Sequence, residues 1–126
     1  MKKILIIDDD KVNQDILFKA FSQKDYEVIS VYDSLSSIEK IIEHKPDLII
    51  LDILMPGLNG FEILQMMKEE SIIPDTPVIV LTALRENGNF KKALGLGAED
   101  YLLKTDYNPS ELVKKVSERL KKTRAS

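Results

Sequence analysis

The chain has 126 residues, of which 44% are hydrophobic and 31% charged, and its formal net charge is −3. This length and composition favour one ordinary globular domain and exclude a disordered chain. The sequence contains no cysteine and a single histidine. That excludes a disulfide framework, a cysteine nucleophile, a thiolate metal site and a zinc site that needs several imidazoles.

The first half of the chain predicts two strands, each followed by a helix. The continuous apolar run at residues 4–7 is typical of a strand buried on both faces, and the weaker run at residues 27–31 indicates an edge strand. Apolar side chains at helical spacing follow each run. They are Ile16, Leu17, Ala20 and Phe21 after the first run and Leu35, Ile38, Ile41 and Ile42 after the second. Asp33 or Ser34 is placed to cap the second helix.

The second half of the chain continues this alternation. Apolar runs at residues 48–51, 78–81 and 101–103 predict three more buried strands. The helical stripes that follow them are Phe61, Leu64 and Met67, then Phe90, Ala93 and Leu94, then Leu112, Val113, Val116 and Leu120. In the last helix Asn108 is placed as the cap, Pro109 suits the first turn and Glu111 completes a capping box.

Strands that alternate with helices in this way predict an α/β fold with a doubly wound parallel sheet. Right-handed crossovers place the helices on both faces of the sheet, which gives three layers, α/β/α. Five strands and five helices fit the flavodoxin-like strand order 2-1-3-4-5. We expect one domain over residues 1–122 and a frayed C-terminal end at residues 123–126.

The distribution of charge and hydropathy limits the partners of the chain. Residues 114–124 carry six basic side chains and one acidic side chain, a net charge of +5, so the remaining residues carry −8. The cations suit the C-terminus of the last helix, and the acidic body repels a phosphate backbone, so no direct DNA binding is expected. No apolar stretch approaches the ~20 residues that span a bilayer. We therefore expect no membrane contact and a cytoplasmic location.

One edge of the predicted sheet collects acidic, hydroxyl and ammonium groups. Asp8, Asp9 and Asp10 follow the first strand, Asp52 the third, Thr82 the fourth and Lys104 the fifth. In an open parallel sheet a ligand binds beyond the carboxyl ends of the strands, so we expect these side chains to converge. Neighbouring acids repel one another, and a hard divalent cation such as Mg²⁺ offsets that repulsion. The pattern indicates a magnesium site, where a carboxylate can act as a nucleophile and form an aspartyl phosphate.

Each of these residues also has a purely structural explanation. The three consecutive acids can cap the first helix and compensate its dipole. Asp52 can open a turn-rich loop, and Thr82 can be an ordinary hydroxyl at a strand end. Lys104 is the least ambiguous, because an ammonium directly after an apolar strand points into the acidic edge. Their placement at successive strand ends favours the functional interpretation of the whole group.

Four segments carry a resemblance to a known family. They are residues 4–10, which end in three aspartates, residues 45–60, around Asp52, residues 78–83, which end in Thr82 and Ala83, and residues 97–104, which end in Lys104. In this order they resemble the receiver domain of two-component response regulators over essentially the whole chain. The resemblance implies a signalling domain rather than an enzyme. It would take a phosphoryl group from a histidine kinase or a histidine phosphotransfer protein and catalyse only its own phosphorylation and dephosphorylation.

The resemblance also implies roles for individual residues of the acidic edge. Asp52 would be the phosphoacceptor, and Lys104 would pair with the phosphoryl oxygens. A site for Mg²⁺ or Mn²⁺ would have Asp9 as a direct ligand and Asp8 as a ligand through water. Asp52 and the backbone carbonyl of Leu54 would complete the protein's ligands.

A second set of residues would form a switch. By the same resemblance, the Thr82 hydroxyl and the Ala83 N–H bind the phosphoryl group, and Tyr101 moves inward when Thr82 is recruited. This movement would repack the face made by the fourth helix, the fifth strand and the fifth helix, to which a downstream protein binds. The resemblance leaves open a monomer or a phosphorylation-dependent homodimer.

The sequence departs from the family pattern in two places that matter. Thr105 stands where the family usually has a proline joined to the lysine by a cis bond, and a cis bond before a non-proline residue costs about 3–4 kcal/mol. Either this loop is trans and Lys104 reaches the site differently, or it holds a strained bond. Leu54 and Leu84 stand at positions that tune access of water to the phosphoryl group. We therefore expect slow self-dephosphorylation.

Other functions remain open. A degenerate receiver would bind partners without phosphorylation. A Mg²⁺-dependent aspartyl-phosphate hydrolase would need an acid/base group two residues after the nucleophile, where Leu54 stands, and a cap for which the chain has no room. A flavin-binding flavodoxin relative would need a phosphate-binding loop after the first strand. We favour a stand-alone receiver over the excised receiver of a longer regulator, because no output motif or linker follows the last helix.

Overall fold

A five-stranded parallel sheet lies between two layers of helices in the computed structural model, which describes residues 1–85 and 87–122. The elements are β1 (Lys3–Ile7), α1 (Lys11–Ser22), β2 (Glu27–Val31), α2 (Ser37–His44), β3 (Leu48–Leu51), α3 (Gly60–Glu69), β4 (Val78–Thr82), α4 (Asn87–Gly95), β5 (Asp100–Leu103) and α5 (Pro109–Lys121). The strand order is β2-β1-β3-β4-β5. This confirms the predicted flavodoxin-like α/β fold, with β2 at an edge. The end at residues 123–126 lies outside the described residues.

The sheet separates two hydrophobic clusters. Side chains alternate across a strand, so Leu5 and Ile7 of β1 face one cluster and Ile4 and Ile6 face the other. The first cluster receives side chains from α2, α3 and α4, and the second receives side chains from α1 and α5. Because helices cover both faces, every residue of β3 and β4 is buried, as the continuous apolar runs predicted. In the part of the chain described, none of the helices has the length and apolar character needed to cross a membrane.

The buried face of α1 differs from the prediction by one position. Leu17 and Phe21 are buried as expected, but Ile16 is 45% exposed, and Gln14 takes the inward position one turn before Leu17. Successive residues of a helix are turned by about 100°, so Ile16 cannot share the inward direction of Leu17. A polar side chain therefore occupies a place on the face that packs against the sheet.

The start of the second helical segment also differs from the prediction. Asp33 accepts a hydrogen bond from the Leu35 N–H at 3.0 Å, but the turn that it caps is a short 3₁₀ helix at Ser34–Ser36, and α2 begins only at Ser37. Leu35 and Ile42 of the predicted stripe are consequently exposed. Ser34 is buried instead, which brings this turn close to the loop after β3.

The ends of α3 and α5 show local features that the sequence predicted in part. Asn108 and Glu111 form the predicted capping box, with each side chain accepting from the other residue's backbone N–H. Asn59 and Glu62 form a second capping box at the start of α3. The box fixes the start of α3, and the Gly60 N–H beside it donates to the Ile53 carbonyl at 3.0 Å, which ties this start to the segment that follows β3.

Candidate functional site

The pairing of β1 with β3 brings two acids together at the carboxyl edge of the sheet. Ile7 lies opposite Leu51, so Asp8 and Asp52 leave adjacent strands at the same level. The Asp52 N–H donates to the carbonyl of Ile7 at 3.0 Å, which ties the two strand ends together. Asp8 is 2% exposed and Asp52 is 5% exposed. Two carboxylates are therefore buried side by side, which needs compensation by positive charge.

Asp9 completes this acidic cluster, whereas Asp10 does not join it. Asp8, Asp9 and Asp52 each offer a carboxylate oxygen within 4.8 Å of the others, and Asp9 is exposed. Asp10 instead caps α1, because its carboxylate accepts from the Val12 N–H at 3.0 Å and from the next N–H at 3.3 Å. The structural explanation of the three consecutive acids thus applies to Asp10 alone.

Lys104 lies between the two buried acids. Its Nζ atom is 2.9 Å from Oδ2 of Asp8 and 2.9 Å from Oδ2 of Asp52. The backbone N–H of Lys104 donates to the Thr82 carbonyl at 2.9 Å, which holds the end of β5 beside β4. Among the described residues the one cis peptide bond precedes a proline elsewhere in the chain, so the Lys104–Thr105 bond is trans. The ammonium therefore reaches the acidic edge with threonine in the place of the family's proline.

The pKa values at this site reflect one cation shared by two carboxylates. Burial raises the pKa of Asp52, although hydrogen bonds from Lys104 and from the Leu54 N–H lower it. Burial lowers the pKa of Lys104, but its hydrogen bonds to Asp52 and Asp8 and their charges outweigh that effect and raise it. Lys104 therefore stays protonated at neutral pH, and the charge on Asp52 is only partly compensated. A further cation at this edge would stabilise the ionised acids.

The predicted switch residues meet at Leu84. Thr82 is the last residue of β4 rather than the residue after it, and its buried hydroxyl oxygen accepts from the Leu84 N–H at 3.4 Å. The Tyr101 hydroxyl donates to the Leu84 carbonyl, and the half-buried ring packs edge-on against Phe90 with centroids 6.1 Å apart. Ala83, which stands between Thr82 and Leu84 in the chain, is exposed. The loop after β4 thus connects the acidic edge to the α4–β5 surface.

Leu54 follows Asp52 by two residues and also contacts it in space. Its backbone N–H donates to Oδ1 of Asp52 at 3.0 Å, so one carboxylate oxygen of Asp52 faces Leu54 and the other faces Lys104. The Leu54 side chain is 50% exposed, and Leu84 is half-buried. Leu54 therefore lies beside Asp52, and Leu84 lies beside Thr82.

Three residues of this region were missed by the sequence analysis. Asn13 donates to Oδ2 of Asp8 at 2.8 Å, and Gln14 donates to backbone carbonyls at the end of β1. The Ser34 hydroxyl donates to the Pro56 carbonyl at 2.9 Å and links the turn before α2 to the loop after Asp52. The signal for Gln14 is its place on the buried stripe, one turn before Leu17. Asn13 and Ser34 had no comparable signal, because their contacts depend on how loops meet.

The fold and this site define the class of protein. The sequence model of the response regulator receiver domain matches residues 4–117 of the chain. The chain therefore belongs to the receiver domains of two-component response regulators, which confirms the family predicted from its motifs. Receiver domains are signalling domains, generally not classed as enzymes, and they interact with histidine kinases or phosphotransfer proteins.

Individual relatives agree with this assignment. The phosphate regulon transcriptional regulatory protein PhoB of Pseudomonas aeruginosa is 34% identical over 122 residues, which cover 97% of this chain and 53% of that protein. A two-component response regulator from Clostridium difficile is 30% identical, with a TM-score of 0.89 over 98% of this chain and 99% of that one. The BeF3-activated N-terminal receiver domain of RstA from Klebsiella pneumoniae is 28% identical, with a TM-score of 0.87 over 96% of this chain and 100% of that one. The chain spans about half the length of the curated relatives it matches.

Proposed function

We propose that the chain accepts a phosphoryl group on Asp52 from a histidine kinase or a histidine phosphotransfer protein. The reaction would require Mg²⁺ or Mn²⁺, and it would change the α4–β5–α5 face to which a downstream protein binds. The observation that supports this proposal is the position of the Lys104 ammonium, 2.9 Å from both Asp8 and Asp52, beside a third acid. Three acids and one ammonium leave an excess of negative charge, which a second cation would offset.

The donor set fits a magnesium ion. Mg²⁺ prefers oxygen ligands, and it usually binds one or two carboxylates while keeping several waters or phosphate oxygens. Asp9 and Asp52 are inferred as direct ligands, Asp8 as a ligand through water and the Leu54 carbonyl as the backbone ligand. The three carboxylates come within 4.8 Å of one another, which suits a single ion. When bound, the ion neutralises charge on the phosphoryl oxygens.

Asp52 and Lys104 would carry out the phosphoryl transfer itself. A carboxylate oxygen of Asp52 attacks the phosphorus of the donor phosphohistidine, the P–N bond breaks, and the imidazole leaves with the electron pair of that bond. Lys104 then exchanges its contact with Asp52 for one with a phosphoryl oxygen and keeps its contact with Asp8. Such preorganised positive charge stabilises the charge that spreads over the phosphoryl oxygens during transfer.

The same step would act on the switch residues. A phosphoryl group adds nearly two negative charges and three acceptor oxygens. The Thr82 hydroxyl, which already hydrogen-bonds Asp52, and the Ala83 N–H would donate to these oxygens. Thr82 now accepts from the Leu84 N–H, and Leu84 in turn accepts from the Tyr101 hydroxyl. Recruiting Thr82 therefore disturbs the contact that holds Tyr101. This gives the α4–β5–α5 face two arrangements whose populations the phosphoryl group can shift.

Intact mass after incubation with acetyl phosphate and Mg²⁺ tests the proposal. We expect one base-labile phosphoryl adduct on the native chain, which requires Mg²⁺ and is absent from Asp52→Asn. Asp10→Asn is the matched control, because it removes a neighbouring acid that caps α1, and asparagine caps equally well. It should keep the adduct. An adduct on Asp52→Asn would place the acceptor elsewhere, and no adduct on the native chain would favour a receiver that binds partners without phosphorylation.

Leu54 and Leu84 are expected to give the phosphorylated chain a long lifetime. Leu54 lies beside Asp52 and Leu84 beside Thr82, and apolar side chains neither position nor activate an attacking water. Introducing polar groups in Leu54→Asn, Leu84→Glu should shorten the lifetime by about tenfold or more, as groups that orient or activate water commonly do. Decay of the phosphoryl adduct, followed by mass spectrometry in excess Mg²⁺, measures it. Equal lifetimes in the two chains would contradict the prediction.

A further inference from the structure

Gln14 is a polar side chain on the otherwise apolar inner face of α1. It is 0% exposed, and it shares this face with Leu17 and Phe21. An apolar side chain is the ordinary occupant of such a position. Burying an amide is costly unless it is hydrogen-bonded, so the contacts of Gln14 indicate what it does.

The amide nitrogen of Gln14 donates to the ends of two neighbouring strands. Nε2 lies 2.9 Å from the carbonyl oxygen of Ile6, 3.0 Å from that of Asp8 and 3.1 Å from that of Val31. The opposite orientation of the amide would place its oxygen against three acceptors, so only this orientation forms hydrogen bonds. The amide oxygen has no hydrogen-bond partner within residues 1–85 and 87–122. Gln14 therefore acts at this place as a donor.

One of these contacts holds the peptide group between Asp8 and Asp9. The Asp8 carbonyl belongs to that planar group, so a donor against it fixes the plane that joins the two acids. Val31 accepts from the Asp8 N–H as well, at 3.0 Å, so the Asp8 backbone is held on both sides of its Cα atom. Asp9 is exposed. The direction of its carboxylate consequently depends on the backbone that carries it.

We propose that Gln14 is a positioning residue for the metal site. From the buried side of the loop between β1 and α1 it keeps Asp8 and Asp9 turned toward Asp52, and it acts through backbone carbonyls rather than through a carboxylate. The inference rests on the proposed function, because it takes these acids as the ligands of Mg²⁺. It adds a determinant of metal affinity that lies outside the acidic edge itself.

The affinity for Mg²⁺, measured by titration calorimetry with magnesium chloride alone, tests the inference. Gln14→Met keeps the length of the side chain without an N–H donor, and Gln14→Leu continues the apolar face of α1, and the folding of each variant is checked by urea denaturation. We expect each to weaken Mg²⁺ binding about tenfold, since losing a group that orients a metal ligand has effects of this order. Leu17→Ala is the matched control, because it loses buried packing on the same face of α1 and leaves the Gln14 amide in place. It should keep the native affinity, with folding checked by urea denaturation in EDTA.

The outcomes separate this inference from the proposed function. Weaker binding in the Gln14 variants, with native binding in Leu17→Ala, supports it. Native affinity in both Gln14 variants overturns it. An equal loss of affinity in Leu17→Ala also overturns it, because a general loss of stability would then explain the effect. A native chain that binds no Mg²⁺ overturns the proposed function, and the inference with it.

Discussion

Replacing Lys104 with methionine is expected to lower the free energy of unfolding by about 3 kcal/mol at neutral pH. The Lys104 ammonium is 2.9 Å from a carboxylate oxygen of Asp8 and of Asp52, and both acids are buried. Without it, the two acids lose the cation they share, and an uncompensated buried charge is strongly destabilising. Methionine keeps most of the alkyl chain, so the change reports on charge more than on packing. Urea denaturation measures the difference.

The loss of stability in Lys104→Met is expected to be larger at neutral pH than at acidic pH. Burial raises the pKa of Asp52, while the Lys104 contact lowers it, so the pKa rises further in the variant. Between the ordinary pKa of an aspartate and this raised pKa, the folded chain binds more protons than the unfolded chain. The free energy of unfolding therefore falls as the pH rises through that window. The deficit of Lys104→Met should be largest at neutral pH and should shrink on acidification.

Two further variants make the Lys104 experiment decisive. Lys115→Met removes an ammonium that lies 3.4 Å from Asp100 in a pair at the surface, and such pairs contribute ~0–1 kcal/mol. The double variant Lys104→Met, Asp52→Asn should be more stable than Lys104→Met, because it removes one of the two uncompensated acids. A Lys104→Met loss no larger than that of Lys115→Met, or one independent of pH, would show that Lys104 does not compensate the acidic edge.

Replacing Gly60 with alanine is expected to lower the free energy of unfolding by about 2–3 kcal/mol. A Cβ atom at Gly60 would lie 2.7 Å from Cα of Ile53 and 2.8 Å from the carbonyl oxygen of Asp52. Both atoms belong to the backbone, which cannot move away as the end of a flexible side chain does. The Gly60 N–H also donates to the Ile53 carbonyl at 3.0 Å. The added methyl group must therefore push the start of α3 away from the segment that carries Asp52.

Gly95→Ala is the matched control for Gly60→Ala. Gly95 ends α4, and a Cβ atom there meets nothing within 4 Å. Alanine in a helix is favoured over glycine, so this variant should be as stable as the native chain or more stable by ~0.5–1 kcal/mol. Urea denaturation of the two variants in parallel measures the difference. A Gly60→Ala variant as stable as Gly95→Ala would contradict the close approach of α3 to the end of β3.

The sequence alone was enough to predict the layers of the fold and the edge that carries the candidate site. Continuous apolar runs mark strands buried on both faces, and this pattern is local, so it can be read without coordinates. The handedness of the crossovers then leaves few strand orders to consider. Because the carboxyl ends of parallel strands meet at one edge, the convergence of Asp8, Asp9, Asp52 and Lys104 followed from their positions after the runs.

Which side chains point into that edge depends on how the segments pack. Three consecutive acids look alike in sequence, yet Asp10 caps α1 while Asp8 and Asp9 join the site. Gln14 points inward and Ile16 outward, because the face of α1 follows from where the helix begins and from a turn of about 100° per residue. If the inward face of α1 were displaced by one residue, it would turn by about 100°, and different residues would be buried. The apolar periodicity of a helix this short does not resolve such a displacement.

Distances and burial between distant segments were likewise decided by the tertiary structure. Threonine after Lys104 left the path of that side chain open, and the packed loop brings it to both acids with a trans bond. The direction of the Asp52 pKa shift depends on how deeply the strand ends are buried and on how one cation divides between two carboxylates. Neither quantity is a property of a single segment. Both arise when the ends of β1, β3 and β5 meet. The sequence therefore identified the chemical groups, and the packing determined their burial and the distances between their charges.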